Sequence, residues 1–283
     1  MPVSVGKRYS HTETDLPCAR TLIGRQREMQ ALAGHIREKS HLHIYGPEGA
    51  GKSALFEWTQ AHWREIGGPL ELIYSRSSRT LRGTLLNICD VLLKHFGCLD
   101  SVDKFGKVTK IGRFDDVRGL NIRELKKMAH DYIARGNFCV LLDHLEYVTP
   151  MMHAFLVPLY ERALVLSASR QSWELTDYAF KGKLAYHLLY LLPKLRIDNL
   201  KRIDALALME RLCGNQDMPS PLGPHTFEEI FNISGGNLKM ITEILEKAVR
   251  PEYHTDNKLN LKLIGIDCKM EKIITHEGDI RHK

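Results

Sequence analysis

The stretch Gly46-Pro47-Glu48-Gly49-Ala50-Gly51-Lys52-Ser53 decides the fold of this chain. It fits the pattern G-x-x-x-x-G-K-[ST] of a phosphate-binding loop at every position. Residues 41–45 alternate polar and apolar side chains and predict a strand, and the segment that begins at Ala54 predicts a helix. Because the motif forms between a strand and a helix, this context favours a phosphate-binding loop over a glycine-rich turn that matches by chance.

The chemistry of such a loop follows from its residue types. Glycines let the backbone turn so tightly that successive N–H groups face a phosphate chain, and the following helix adds the positive end of its dipole. In this motif the lysine, here Lys52, reaches the β- and γ-phosphates, and the hydroxyl of Ser53 binds Mg²⁺. The predicted nucleotide-binding residues of the loop are Gly46, Pro47, Glu48, Gly49, Ala50, Gly51, Lys52, Ser53 and Ala54.

Composition limits the class of protein. The 283 residues carry a formal net charge of +6 and are 43% hydrophobic, which is typical of a soluble chain of about two domains. No apolar run approaches the roughly 20 residues of a membrane span, and residues 1–20 lack an apolar signal core. The six scattered cysteines contain no C-x-x-C pair, so we expect free thiols in a reducing, cytoplasmic compartment. The basic excess permits a nucleic-acid partner without requiring one.

A second strand with a polar end lies downstream of the loop. The apolar run 138–142 ends in Asp143, as a buried parallel strand before a catalytic edge does, and it matches the Walker B pattern. Asp143 is therefore predicted to hold Mg²⁺ together with Ser53. The alternative is a core strand that ends in an acid by chance, and the upstream loop favours the functional interpretation.

The rest of the chain divides by its periodicity. Strands are predicted at 41–45, 70–74, 137–143, 162–170 and 194–197, with helices at 79–96, 121–135, 147–160 and 176–192. Beyond residue 198 the pattern is helical, at 203–213, 226–232 and 238–249, and the alternation over 258–264 allows a strand or a short hairpin. The expected organisation is a flexible leader over 1–20, a core over 21–198, a helical lid over 199–250 and a tail over 251–283.

The polar segment 97–119 carries a basic residue at every third position from Lys104 to Arg113, with Phe105 between them and Phe114 directly after them. Basic residues with interleaved aromatics can grip a phosphate backbone and stack bases. The alternative is a solvated loop, since Asp103, Asp115 and Asp116 dilute the charge. The candidate nucleic-acid contacts are Lys104, Lys107, Lys110 and Arg113.

Three features together resemble the AAA+ and STAND branch of the P-loop ATPases, over about Thr21 to Arg250. They are the box that begins at Leu22 upstream of the loop, the Asp143 strand, and the lid helix that starts after Gly235-Gly236-Asn237. The layout is similar to DNA-transposition regulators of the TniB and TnsC kind and to origin-recognition ATPases. The resemblance implies an α/β fold, a three-layer sandwich around a central parallel five-stranded sheet, followed by a small all-α lid. It also implies ATP and Mg²⁺ as ligands between core and lid.

The resemblance further implies roles for individual residues. The box of Ile23, Gly24 and Arg25 would line the adenine pocket. The polar end of the strand at 162–170 resembles the sensor 1 position, with Ser167, Ser169 and Arg170 as candidates, although serine and arginine are also common at an exposed strand end. Lys239 falls at the sensor 2 position, where the family carries arginine or a G-x-P signature, and a surface lysine is the alternative. For an arginine finger, Arg162 and Arg196 are guesses.

One departure from the family concerns hydrolysis. Many such ATPases place a water-orienting glutamate directly after the Walker B aspartate, whereas this chain has His144 there and its nearest acid is Glu146. Either Glu146 serves as the base or hydrolysis is slow. The candidate catalytic residues are thus Glu146, Ser169, Arg170 and Lys239.

Three classes of function remain open at this stage. The first is an ATP-dependent switch that forms a homo-oligomer in the ATP state and engages DNA or a DNA-processing partner. The second is a STAND-type signalling ATPase that recognises a protein, although this chain has little room for effector regions. The third is a small-molecule kinase, against which the lid-like helices and the Gly-Arg box argue. No membrane partner is expected.

Overall fold

The computed structural model of the chain describes residues 22–173, 187–214, 222–255 and 258–281. The first part contains α1 (Gln26–Arg37), β1 (Leu42–Tyr45), α2 (Lys52–Ala61), α3 (Trp63–Ile66), β2 (Glu71–Ser75), α4 (Leu81–Phe96), β3 (Leu99–Val102), β4 (Val108–Ile111), α5 (Phe114–Gly119), α6 (Ile122–Ile133) and β5 (Phe138–Leu142). Then follow α7 (Pro150–Arg162), β6 (Leu164–Ser169), α8 (His187–Leu191), β7 (Lys194–Arg196), α9 (Arg202–Cys213), α10 (Pro224–Ser234), α11 (Leu238–Ala248), β8 (His254–Thr255), β9 (Lys258–Leu259) and α12 (Leu261–Arg281).

The central sheet has five parallel strands in the order β2-β5-β6-β1-β7. All five residues of β5 are buried, because helices cover both faces of a parallel sheet and leave no strand face for water. Since the strands are parallel, the loops that follow β1, β5 and β6 all leave the sheet at its carboxyl edge. The predicted parallel five-stranded α/β core is confirmed.

Two apolar cores lie between the sheet and the helices that cover it, one on each face. On one face, α1 and α2 pack Leu32, Ile36 and Phe56 against the strands. On the other face, helices α4, α6 and α7 pack residues such as Leu85 and Phe155 against β2, β5 and β6. The result is the predicted three-layer sandwich. The predicted helix over 176–192 lies mostly outside the described residues, and the leader over 1–20 lies wholly outside them.

The helices α9 to α12 surround a third core that includes Leu208, Ile241 and Ile264. The predicted helical lid is therefore present, and α12 extends it into the tail. Buried Lys247 on α11 forms an ion pair with Glu271 on α12, with a distance of 2.8 Å from Nζ to Oε1. Within the described residues, no helix combines the length and apolarity that a membrane crossing requires.

The structure of residues 258–264 differs from the strand that their alternation of polar and apolar side chains allowed. Only the short pair β8–β9 is extended, and the helix α12 begins at Leu261. The side chain of Asn260 accepts a hydrogen bond from the backbone N–H of Leu263 at 3.1 Å, as a helix N-cap does. This cap starts a helix where alternation suggested a strand, so the strand interpretation of residues 261–264 was wrong.

The segment 97–119, for which a solvated loop was the structural alternative, contains the antiparallel hairpin β3–β4 and the helix α5. The hairpin is anchored by buried Leu99 and Ile111, which pair across the two strands. Its turn is built by Asp103, whose Oδ1 accepts hydrogen bonds from the backbone N–H groups of Phe105 and Lys107 at 2.8 and 2.9 Å. An aspartate that bonds the backbone ahead of it is a common turn device.

Candidate nucleotide-binding site

The loop between β1 and α2 is shaped by glycines at positions that admit no side chain. Gly46 has φ of +154°, and a Cβ there would collide with the carbonyl oxygen of Ile197. Gly49 has φ of +77°, and a Cβ there would lie 2.8 Å from the Cβ of Lys239. The loop is therefore packed between the end of the sheet and the lid, and its backbone can approach a ligand closely.

Lys52 is the first residue of α2, and its ammonium group turns back over the loop. Its Nζ donates hydrogen bonds to the carbonyl oxygens of Gly46 and Pro47, each at 2.8 Å. Burial lowers the pKa of Lys52, while the negative charges of Glu146 and Asp143 act to raise it. A buried cation at a helix N-terminus is an arrangement suited to bind a phosphate chain.

Asp143 follows β5 at the carboxyl edge and is only 1% exposed. Its Oδ1 accepts a hydrogen bond from the backbone N–H of His144 at 2.8 Å, and its Oδ2 accepts one from the hydroxyl of Tyr74 at 3.3 Å. Burial and then the charge of Asp143 raise the pKa of that hydroxyl above its ordinary range. Tyr74 thus orients the carboxylate, a role that its position in an apolar strand segment does not reveal in the sequence.

The donor set fits Mg²⁺. Ser53 and Asp143 offer oxygen ligands, which this ion prefers, and Mg²⁺ at phosphate sites keeps several waters and uses few protein ligands. The described residues include no group of three or more His, Cys, Asp or Glu side chains that could hold a metal. The assignment of Ser53 and Asp143 as Mg²⁺ ligands remains a prediction from the sequence. The chemistry of their oxygen atoms is compatible with it.

Glu146 and Arg170 form an ion pair at the same edge. The Oε2 of Glu146 accepts hydrogen bonds from the backbone N–H and the Nε of Arg170, at 3.0 and 3.2 Å. The Nη1 of Arg170 also lies 3.4 Å from the Oε2 of Glu48 in the loop. The structure therefore brings two of the predicted catalytic residues, Glu146 and Arg170, together beside the loop.

The two serines of β6 are engaged elsewhere. Ser167 is fully buried, and its Oγ lies 2.9 Å from the Nδ1 of His43. Ser169 is also fully buried, and its Oγ donates a hydrogen bond to the carbonyl oxygen of Gln171 at 2.8 Å. Both hydroxyls belong to a polar network around His43 of β1, so Arg170 is the sensor 1 candidate that contacts the loop.

The lid closes on the loop through the start of α11. The Nδ2 of Asn237 donates a hydrogen bond to the carbonyl oxygen of Glu48 at 2.7 Å, and the backbone N–H of Lys239 donates one to Gly49 at 3.1 Å. The Nζ of Lys239 lies 3.3 Å from the Oε1 of Glu48. Lys239 thus reaches the loop as the sensor 2 interpretation requires, and Asn237 is a second contact that the sequence analysis did not single out.

The Gly-Arg box connects three parts of the site. Buried Arg25 donates hydrogen bonds to the carbonyl oxygen of Ala50 at 2.7 Å and to that of Asp198. Gly24, with φ of +70°, lies against Asp204 of α9, and Ile23 packs on the apolar core of the lid. The box therefore sits where loop, core and lid meet, which is the position expected of residues that line a base pocket.

The fold of this chain is similar to that of several solved structures. No family model matches the sequence, and no curated protein matches it either. Among solved structures, the ORC1 protein of Aeropyrum pernix in complex with DNA has a TM-score of 0.64 at 14% identity, with 88% of this chain and 66% of that chain covered. The chain thus spans about two thirds of the length of that protein, by the same 66% coverage.

Two further structures have similar cores. A Walker-type ATPase of Pyrococcus abyssi gives a TM-score of 0.59 at 16% identity, covering 93% of this chain and 77% of that chain. Domain III of the Thermotoga maritima replication initiation protein DnaA gives 0.54 at 11% identity, covering 89% of this chain and 97% of that chain. The chain therefore shares the fold of these solved structures.

In this fold the predicted nucleic-acid residues lie away from the loop. Lys104, Lys107, Lys110 and Arg113 are exposed on and beside the hairpin β3–β4. The base of the hairpin contacts the end of α6, because the hydroxyl of Tyr132 accepts a hydrogen bond from the backbone N–H of Asp100 at 2.7 Å. Since α6 leads into the start of β5, this base lies at the amino edge of the sheet, opposite the loop.

Arg162 and Arg196, the two candidates for an arginine finger, have other contacts. Arg162 ends α7 just before β6, again at the amino edge, and donates a hydrogen bond to the carbonyl oxygen of His130 at 3.3 Å. Arg196 ends β7 and pairs with Asp198 at 2.8 Å. Arg162 therefore lies at the edge of the sheet opposite the loop of its own chain.

Proposed function

We propose that this chain is an ATP-binding AAA+ switch that hydrolyses ATP slowly, oligomerises in its ATP state and engages DNA or a DNA-processing partner. The observation that carries the proposal is the convergence of Arg170 from the core and Lys239 from the lid on the phosphate-binding loop. Two cations from different parts of the fold meet there, so a bound anion would join core and lid. ATP supplies the charged terminal phosphate that distinguishes the two states of such a switch.

The residues of the loop would hold the phosphate chain. Backbone N–H groups between Gly46 and Ser53 face it, Lys52 exchanges its two carbonyl acceptors for phosphate oxygens, and Ser53 and Asp143 hold Mg²⁺. Ile23, Gly24 and Arg25 line the base pocket between core and lid. Arg170 and Lys239 contact the terminal phosphate, and their loss of that contact after hydrolysis loosens the lid.

Glu146 is the proposed water-orienting base. Its carboxylate is 5% exposed and is held beside the loop by Arg170, so it can accept a proton without first being positioned. Because Arg170 occupies one of its oxygens, we expect turnover at this site to be slow. The proposed role of Ser169 in catalysis is limited to supporting the end of β6, since its hydroxyl is bound within the buried network.

The hairpin β3–β4 is the proposed DNA contact. Lys104, Lys107, Lys110 and Arg113 are exposed there, and Phe105 at the turn is 83% exposed with the Nζ of Lys104 4.8 Å from its ring centroid. Exposed cations beside a solvent-facing ring suit a phosphate backbone with adjacent bases. The similarity to an ORC1 protein solved with DNA supports DNA as a partner, and the choice of the hairpin rests on its exposed cations and ring.

Gel filtration with light scattering tests the proposal. The chain is run with ATP, ADP or no nucleotide, each with and without duplex DNA, beside a Lys52→Ala variant. We expect a larger species with ATP that takes up DNA, and no nucleotide response in the variant. ATP-dependent assembly that never includes DNA would instead favour a signalling ATPase that recognises a protein. An identical elution profile in all runs would contradict the proposed ATP-dependent switch.

A further inference from the structure

The carboxylate of Glu48 stands between a core cation and a lid cation. Its Oε2 lies 3.4 Å from the Nη1 of Arg170, and its Oε1 lies 3.3 Å from the Nζ of Lys239. These are the two side chains that the proposed function assigns to the terminal phosphate. A carboxylate offers them the same kind of acceptor as a phosphate, two oxygens on a charged group.

The lid also holds the backbone at this position. Asn237 donates to the carbonyl oxygen of Glu48, and the N–H of Lys239 donates to that of the next residue, Gly49. The contact of α11 with the loop is therefore centred on Glu48. A change in what Lys239 contacts would act directly on how the lid sits on the loop.

The ion pairs of Glu48 are exposed enough to be exchanged. The side chains of Glu48, Arg170 and Lys239 are 56%, 38% and 52% exposed. Pairs in contact with water are weak and reversible, so they can yield to a more highly charged acceptor. Arg170 keeps its second acid, Glu146, in either case, which leaves its backbone and Nε contacts in place.

We propose that Glu48 sets the preference of this site for a nucleoside triphosphate over a diphosphate, by competing with the terminal phosphate for Arg170 and Lys239. With a diphosphate, Glu48 keeps both cations, and no terminal phosphate joins core and lid. With a triphosphate, the carboxylate must leave them, which lowers the net gain from the terminal phosphate. This inference rests on the proposed function, because it requires a phosphate chain on the loop.

The test compares affinities for ADP and for a non-hydrolysable ATP analogue, measured by calorimetry with Mg²⁺ present. The variant is Glu48→Gln, which keeps the size and polarity of the side chain and removes its charge. We expect the ratio of the ADP dissociation constant to that of the analogue to rise by about three- to tenfold, the range that two exposed ion pairs would give.

Glu243→Gln is the matched control. Glu243 lies 3.8 Å from the Nζ of the same Lys239, but it is on the lid helix, and Arg170 pairs with Glu48 and Glu146 instead. Its substitution removes an equal charge beside one of the two cations, and we expect the ratio to change by less than about twofold. A ratio that is unchanged or lower in Glu48→Gln, or that rises equally in the control, would overturn the inference.

A Lys52→Ala arm separates failure of the inference from failure of the proposed function. If the wild-type chain binds both nucleotides and this variant binds neither, the site is confirmed, and an unchanged ratio in Glu48→Gln refutes the competition alone. If the wild-type chain binds neither nucleotide, or the Lys52→Ala variant binds as the wild type does, both proposals fall.

Discussion

The carboxylate of Glu146 accepts two hydrogen bonds from one residue, Arg170, at 3.0 Å from its backbone N–H and 3.2 Å from its Nε. This pairing ties the loop after β5 to the end of β6, and β6 is the neighbour of β1, which the phosphate-binding loop follows. It fixes where an acid can act even though His144 stands directly after Asp143. This is why the proposed function gives Glu146 the role of the glutamate that the sequence lacks at that position.

The first prediction concerns Glu146→Gln. An amide oxygen can still accept the hydrogen bonds of Arg170, but it cannot take a proton, so ATP affinity should stay within about threefold while turnover falls by about a hundredfold. Steady-state hydrolysis and nucleotide titration measure the two quantities. Glu161→Gln, an exposed acid at the end of α7, is the control and should leave both unchanged. Normal turnover in Glu146→Gln would exclude it as the base.

The second prediction concerns Tyr74→Phe. The hydroxyl that donates to the Oδ2 of Asp143 is removed, and residues that orient a metal ligand commonly contribute about tenfold or more to metal affinity. We expect nucleotide binding to require several times more Mg²⁺, with binding at saturating Mg²⁺ retained. Tyr160→Phe also removes one buried hydroxyl, which lies 3.4 Å from Ser167, and serves as the control. An equal Mg²⁺ requirement in both variants would refute the role of Tyr74.

The third prediction concerns the hairpin β3–β4. Lys107→Ala should weaken binding to duplex DNA uniformly across sequences and reduce the slope of log affinity against log salt by about 1, as loss of one phosphate contact does. Fluorescence anisotropy over a range of salt concentrations measures this slope. Lys127→Ala removes the same charge from an exposed position on α6 and should not change it. Equal slopes in the wild type and Lys107→Ala would place the DNA contact elsewhere or exclude it.

The core could be predicted from the sequence because its signals are local. Residue type and spacing predict the loop 46–53, the apolar strand before Asp143 and the amphipathic helices. The alternation of strands with helices predicts that the strands run parallel. By contrast, the hairpin β3–β4 has short strands with few buried anchors, so its pattern is hard to separate from that of a polar loop. The helix α12 depends on the cap at Asn260, which the alternation of the neighbouring residues obscured.

The candidate site also combines residues that sequence motifs identify with residues that only the fold brings together. Lys52, Ser53 and Asp143 are specified by motifs, whereas Tyr74 and Asn237 act through contacts between segments far apart in the chain. No spacing rule links Asn237 to Glu48, because the contact exists only once the lid lies on the loop. Likewise, Ser167 and Ser169 fit a polar strand end in sequence, and only the neighbouring His43 shows where their hydroxyls are bound.

The last prediction concerns His130, on the face of α6 that packs against α7. Neither ring nitrogen has a hydrogen-bond partner among the described residues, and the ring lies 5.0 Å from that of Phe155. Burial, and next the charges of Arg162 and Lys126, lower the pKa of His130 to about 4 from 6.5. Below about pH 6.5 the unfolded chain therefore binds a proton that the folded chain does not, so this residue makes stability fall as the pH falls towards 4.

Replacing the ring by an apolar side chain should remove this dependence. Between about pH 7.5 and pH 5, His130→Leu should lose less unfolding free energy than the wild type, by at most about 1.4 kcal/mol per pH unit below the unfolded pKa. Urea unfolding at both pH values measures the difference. His225→Leu, at a side chain that is 89% exposed, is the control and should follow the wild type. If His130→Leu loses as much stability as the wild type, the ring is protonated in the folded state, and the burial argument for His130 is wrong.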